Sequence, residues 1–369
     1  MKSVRLGKFI EEHCEKNKKG EDIPVFSVTN TNGFCTEYFS KDVSSKDKSN
    51  YKIVHKGFFA YNPSRINVGS VDWLRNEEKV IVSPLYNVFS VSPELEKQYL
   101  YYFLKSERGK TLIKSKAEGS VRDNLKFSIL ADFPIPLPSI EEQQKFVAKL
   151  DKASELILKY KRLLEYYDSL IKSRFIEMFG DPQCISNNWE VKSLSDYCVV
   201  NPKKSEIGSL PEDFELSFVP MQSVSENGDI NTSTVKQYKD VKTGFTYFRE
   251  NDVLFAKITP CMENGKGCVA RNLKNKIGFG STEFHVLRPI ENISNSEWIY
   301  RLTTFKSFRK DAENNMTGSA GQRRTPKEFF DKYKVGLPPL SLQNYFAAFV
   351  QQIDKSKFEI EKIVKMVYN

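Results

Sequence analysis

Histidine is scarce in this 369-residue chain: His13, His55 and His285 are the only three, and they lie scattered rather than at metal-ligand spacing. None of the six cysteines (Cys14, Cys35, Cys184, Cys198, Cys261, Cys268) belongs to a CxxC pair, so they read as reduced, structural thiols and no zinc site is expected. No apolar run approaches the roughly 20 residues of a membrane helix. The opening MKSVRLGKFIEEHCEK is charged where a signal peptide is apolar, so a cytoplasmic chain without a membrane segment is expected.

Catalytic motifs are missing too. There is no GxxxxGK phosphate loop and no glycine-spaced nucleophile elbow. An amino-methyltransferase needs an N/D-P-P-aromatic loop. The nearest strings, Asn62-Pro63-Ser64-Arg65 and Asn201-Pro202-Lys203-Lys204, lack the second proline and the stacking ring. Asp72, Glu77 and Lys79 do follow the acid, acid, lysine order that holds magnesium in some nucleases, but the pattern is loose and has no counterpart in the second half. Nor is the charge of one sign: 56 basic residues stand against 47 acidic, giving a net +9 and a pI near 9.0. Such an excess favours a polyanionic partner only where it is locally focused.

What the chain does have is a repeat. PLPSIEEQQKFVAKLDK, Pro136 to Lys152, returns 203 residues later as PLSLQNYFAAFVQQIDK, Pro339 to Lys355. Leu6 and Phe9 match Leu194 and Tyr197 at offset 188, Phe59-Ala60 matches Phe255-Ala256 at 196, and Gly119-Ser120 matches Gly318-Ser319 at 199. A drifting offset with conserved order is the mark of a duplicated unit with loop insertions. Each half alternates short Val, Ile, Phe and Tyr runs with polar turns, broken by one helical segment: PELEKQYLYYFLKSERGKTLIKSK in the first, SEWIYRLTTFKSFRKDAENN in the second. The proline clusters FPIPLP and LPPL close them.

From Ser139 to about Phe179 there is neither glycine nor proline, Ser139 with Glu142 fits a capping box, and Gly180-Asp181-Pro182 stops the run. Phe146, Leu150, Ala153, Ile157, Tyr160, Leu164, Tyr167 and Ile171 alternate at steps of four and three, the seam of a coiled coil. Phe349, Ile353, Ile360, Ile363 and Val367 take the matching positions in the closing segment. Two such rods most simply pack on each other. The expected fold is α+β, mixed α/β: two similar globular domains (1–138 and 181–338) separated by a pair of long antiparallel coiled-coil helices (139–180 and 339–369), with a pseudo-twofold internal repeat.

Polar, glycine-flanked loops occupy equivalent places in the two halves. In the first they are YNPSRINVG, with Tyr61, Asn62, Ser64, Arg65 and Asn67, and EGSVRDNLK, with Ser120, Arg122, Asn124 and Lys126. In the second they are AKITPCMENGKG, with Lys257, Thr259, Glu263, Asn264 and Lys266, and TGSAGQRR, with Thr317, Ser319, Gln322, Arg323 and Arg324. Arg, Lys, Asn and Gln read base edges, while Ser, Thr and backbone amides hold phosphates, so these are the candidate DNA-binding residues.

With its duplicated domains, its helical segments and the strings VLFAKITPCMENGKG and TGSAGQRRTPKEFF, the chain resembles the DNA specificity subunit of Type I restriction-modification systems. The resemblance implies two target recognition domains, each reading one half of a split sequence in double-stranded DNA. It implies partners as well: two methylation subunits carrying S-adenosylmethionine, and restriction subunits using ATP and Mg2+. By the same resemblance this chain carries no cofactor and performs no catalysis. A single-chain restriction endonuclease or DNA methyltransferase with the same recognition domains is the alternative, and a coiled-coil scaffold without DNA affinity is a third reading.

Overall fold

A computed structural model describes residues 3–36, 47–117, 124–181, 189–208, 210–319 and 321–368. Contacts divide the chain into two compact units, Met1–Ile157 and Leu158–Asn369. The division falls inside the central helix, Ile140–Phe179, so each end of that rod belongs to a different unit.

The two units share one sheet topology. In the first, Ile10–His13, Asn87–Val91, Phe59–Tyr61 and Val71–Trp73 lie side by side in that order, every pair antiparallel. The second repeats it with Cys198–Val200, Phe284–Pro289, Val253–Ala256 and Gly267–Val269, again all antiparallel. The strands Phe59–Tyr61 and Val253–Ala256 are buried along their whole length, which is why they read as continuous apolar runs rather than alternating ones. Beside this sheet the second unit has a four-stranded one in which Glu215–Val219 runs parallel to Ile277–Gly280. In the first unit the corresponding layer is thinner: Lys52–His55 pairs with Lys79–Val82, and a single parallel bridge joins Val25 to Ile81.

Helical pairs pack against the main sheets, Lys97–Lys105 with Glu107–Ala117 in one unit and Ser296–Thr304 with Lys306–Asn314 in the other. The first core stacks Phe59 on Phe89 at 5.0 Å. In the second, Trp298, Phe255, Phe308 and Phe330 are fully enclosed, and each such ring contributes about 1.5–3 kcal/mol by leaving water. A short clasp joins the start and end of each globular part: Ser3–Arg5 pairs with Pro134–Pro136, and Val191–Ser193 with Lys334–Gly336. A two-stranded clasp tolerates the prolines of FPIPLP because each strand has an edge that makes no ladder bonds.

The central helix starts at the expected capping box: the Ser139 amide donates to Glu142 Oε2 (3.1 Å) and the Glu142 amide to Ser139 Oγ (3.3 Å). Gly180 ends it at φ +81°, a left-handed conformation that costs glycine nothing. Its 40 residues make a rod of about 60 Å. The closing helix spans Leu340–Tyr368.

In the second unit the two rods run antiparallel. Asp168 pairs with Lys357 at 2.7 Å, Arg174 lies over Tyr345 at 5.7 Å, and Phe175 and Phe179 meet the Phe346 ring at 5.5 and 5.3 Å. Residue numbers rise along one helix as they fall along the other. Ile171, Phe175, Phe346 and Val350 are buried here in the same core as Leu194, Tyr197 and Trp298. The seam is covered unevenly, since Phe146 and Leu150 in the first unit stay 41% and 43% exposed.

At the helix entrances the fold corrects the offset of 203. The clasp strands begin at Pro134 and Lys334, the helices at Ile140 and Leu340, and Gln143 and Gln343 make the same bonds, all at offset 200. Three residues is close to one helical turn, so either alignment superposes the apolar stripes.

Candidate nucleic-acid interface

The two first loops, unlike in sequence, fold into the same turn. Ile66 and Met262, at offset 196, are buried anchors at 1% and 0% exposure. Three residues on, Gly69 and Gly265 take φ +96° and +88°. Their amides donate back to Ile66 O (2.9 Å) and Met262 O (3.1 Å), and the next amides, Ser70 and Lys266, donate to Arg65 O (3.1 Å) and Cys261 O (3.0 Å). A fixed backbone turn with variable side chains on it suits one scaffold to different readings.

The described residues of the second loop in each half come to the first loop. In the first unit the Leu125 amide donates to Pro63 O and Tyr61 Oη donates to Leu125 O, both at 3.0 Å. In the second, the Thr325 amide donates to Lys257 O (2.9 Å), the Thr259 amide to Arg323 O (3.0 Å), and Thr317 bridges Arg324. Where Tyr61 caps one carbonyl, His285 Nε2–H donates to the other, Thr325 O, at 2.8 Å. Burial lowers the His285 pKa to about 4, so the ring is neutral at pH 7 and accepts from Asn201 through Nδ1.

The predicted contact residues therefore divide. Tyr61 is a correction: its ring is fully buried and burial pushes its phenol pKa up, so it supports the loop from beneath. Asn62 is half-buried and its Oδ1 accepts from Ser64 N (3.1 Å) and Oγ (2.9 Å), while Ser64, Arg65, Asn67, Asn124 and Lys126 are exposed. Ser120 and Arg122 lie outside the described residues. In the second unit Asn264, Thr317, Ser319 and Gln322 are exposed, and Lys257, Thr259, Lys266, Arg323 and Arg324 half-buried.

Charge is unevenly committed. Arg324 grips Glu283 with two nitrogens, Nε at 2.9 Å and Nη2 at 2.8 Å, which holds the Glu283 carboxyl below its ordinary range. Arg323 is looser, its Nη2 3.9 Å from both Glu263 and Glu313. Thr259 Oγ1 donates to Glu263 Oε1 at 2.9 Å. Burial depresses the Lys257 pKa. Arg323, Lys266, Gln322 and Asn264 are thus the side chains best placed to meet a ligand. In the first unit Asn62, Arg65 and Val68 line a cleft with Thr29, Asn30 and Leu85, and Leu85 is 76% exposed.

The nuclease-like triad dissolves. Asp72 is buried against Arg75 at 2.7 Å, and Lys79 pairs with Glu21. Among the described residues no His, Cys, Asp and Glu group could hold a metal ion, and no helix is long and apolar enough to cross a membrane.

The sequence profile of the Type I restriction modification DNA specificity domain matches residues 4–165 and again 186–366. The chain belongs to this family. Both matches coincide with the repeated halves, so this type I specificity-domain chain carries the domain twice. It is 43% identical over 162 residues to the type I restriction enzyme EcoAI specificity subunit of Escherichia coli, a stretch covering 43% of this chain and 27% of that protein. The matched stretch of the EcoEI subunit is similarly short, so the chain spans about a quarter of these two relatives. It is 23% identical to the MjaVIII specificity subunit of Methanocaldococcus jannaschii, covering 99% of this chain and 90% of that one. Two solved structures share the fold. One, from work on complex assembly and conformational transition of the type I R-M system, has a TM-score of 0.55 at 16% identity over 100% of this chain and 96% of the other. The S subunit from M. genitalium has a TM-score of 0.51 at 14% identity, covering 99% and 92%.

Sequence reading missed four contributors in this type I specificity-domain chain. Thr29, Asn30 and Leu85 carry no motif and reach the cleft only through the fold. Arg309 is 6% exposed, and among the described residues its hydrogen bonds go to carbonyls: Thr303 O (2.6 Å), Met262 O (3.0 Å), Gly265 O (3.2 Å) and Lys266 O (3.5 Å). Burial without a carboxylate partner lowers its pKa to about 10, and the guanidinium stacks on Phe255 at 4.4 Å. At the helix offset of 199 its counterpart is Lys110, an exposed side chain paired with Glu107, so this strut under the loop belongs to the second half alone.

Proposed function

We propose that this chain is the sequence-specific DNA-binding subunit of a cytoplasmic Type I restriction-modification complex. It recognises a bipartite target and performs no catalysis itself. Recognition domains 1–138 and 181–338 each take one half-site, and the rods 139–180 and 339–369 set the gap. Two methylation subunits bring S-adenosylmethionine, and restriction subunits bring ATP and Mg2+.

The observation that carries this reading is the pair of equivalent turns, built on Ile66 and Gly69 in one unit and on Met262 and Gly265 in the other. One backbone frame presents Asn62, Arg65 and Asn67 in the first half, and Asn264 and Lys266 in the second. Two frames with different side chains are what an asymmetric split target requires. Phosphate neutralisation by the surrounding Lys and Arg residues supplies affinity and makes it fall with salt.

Replacing Arg323 or Lys266 by Ala is expected to relax base preference in one half-site only, by about 1–3 kcal/mol per lost base contact. Selection of bound duplexes from a randomised pool reads this out for each half. Equal effects on both half-sites would contradict the division of labour.

A further inference from the structure

Gln143 and Gln343 have no exposed surface, although glutamine is a poor residue to bury. Each sits one turn into its long helix and reaches back across the proline barrier. Gln143 Nε2 donates to Glu94 O and Pro138 O, both at 3.0 Å, and its Oε1 accepts the Glu96 amide at 2.8 Å. Gln343 Nε2 donates to Ile293 O (3.1 Å) and Pro338 O (2.8 Å), and its Oε1 accepts the Asn295 amide at 2.8 Å.

The same three bonds appear twice. Their partners are equivalent as well: Glu96 and Asn295 are the N-caps of the helices Lys97–Lys105 and Ser296–Thr304. One amide head therefore joins the start of a rod to the start of a globular-domain helix. Only glutamine has the chemistry for this, because the task needs two donors and one acceptor at that reach. Glutamate lacks the donors, lysine lacks the acceptor and asparagine is one carbon short. A buried polar group with every bond satisfied specifies one geometry, since any tilt of rod against domain leaves a carbonyl or an amide orphaned.

We propose that Gln143 and Gln343 are the positioning residues that fix the angle between each domain and its rod, and that they thereby set the tolerance of the complex for the gap between half-sites. This rests on the reading of the chain as a reader of split DNA targets. Among the described residues the glutamines' hydrogen bonds reach none of the candidate base-reading residues, so their role is separable from base preference.

The test uses this chain with Gln143→Met and Gln343→Met, which keep length and apolar bulk but remove all three bonds. Competitive binding is measured on duplexes whose half-sites are intact and whose gap is changed by one base pair, alongside amide exchange at Glu96 and Asn295. Each variant is expected to lose discrimination between gaps by about tenfold, as a site held less tightly tolerates misplacement. Base preference within both half-sites should be unchanged, and exchange should rise at the amide that lost its partner. Leu216→Ala, a core change elsewhere, should destabilise the chain without altering gap discrimination. Retained gap discrimination, altered base preference or unchanged amide exchange would each overturn the assignment alone. An unsubstituted chain with no split target would overturn the underlying reading as well.

Discussion

A Phe346→Ala chain is expected to lose about 3–5 kcal/mol of stability, while Phe146→Ala loses well under half of that. The two residues start the same stripe on the two rods, at offset 200, but their surroundings differ. Phe346 is fully buried, edge-on to Phe175 and Phe179 and enclosed in the core that also holds Ile171 and Val350. Phe146 is 41% exposed and meets Tyr99 only at 6.5 Å. Removing the first opens a cavity between helices; removing the second uncovers surface already wet. Denaturant titration followed by amide exchange in each unit checks the pair, and equal losses would show that the seam is packed alike along its length.

The second large effect belongs to Arg309. Arg309→Met removes the guanidinium from Met262 O, Gly265 O and Lys266 O; Met262 O and Lys266 O keep the amides of Gly265 and Ala256, but Gly265 O loses its donor, and a buried orphan costs about 1–3 kcal/mol. The loop that presents Asn264 and Lys266 should loosen, and discrimination in the second half-site should fall at least about tenfold, one lost contact being worth that much. The first half-site should be read as before, because Lys110 stands at the equivalent place and points to solvent. Sequence selection on the variant and on Lys110→Met measures both arms. Loss of preference in both halves would mean that Arg309 supports the whole molecule rather than one loop.

The architecture was legible because its signals are local. The capping box at Ser139 and Glu142, the glycine- and proline-free run and Gly180 each act within a turn of the chain, and the helix begins and ends where they direct. The duplication was legible from matched strings, yet its register at the rods was misread by three residues. FVAKLDK against FVQQIDK is the better match by letters, whereas Gln143 and Gln343 are equivalent by the bonds they make, four of which span 47 to 50 residues. The loops were found as polar, glycine-flanked strings, but sequence could not sort them. Tyr61 stands among the candidate DNA-binding residues until the fold buries it beneath Leu125, and the Arg324 guanidinium commits Nε and Nη2 to Glu283 and Nη1 to Gln322 O. Arg309 left no local trace, because its partners are carbonyls contributed from 6 to 47 residues away.

The central claim is that two domains of one frame read two different half-sites across a gap set by the rods. The most direct measurement is sequencing of methylated sites in DNA from cells expressing this chain with the methylation subunits proposed for it. The account predicts a split, asymmetric motif: two specific blocks separated by a fixed run of unspecified bases. A single continuous motif, or methylation without sequence preference, would contradict it.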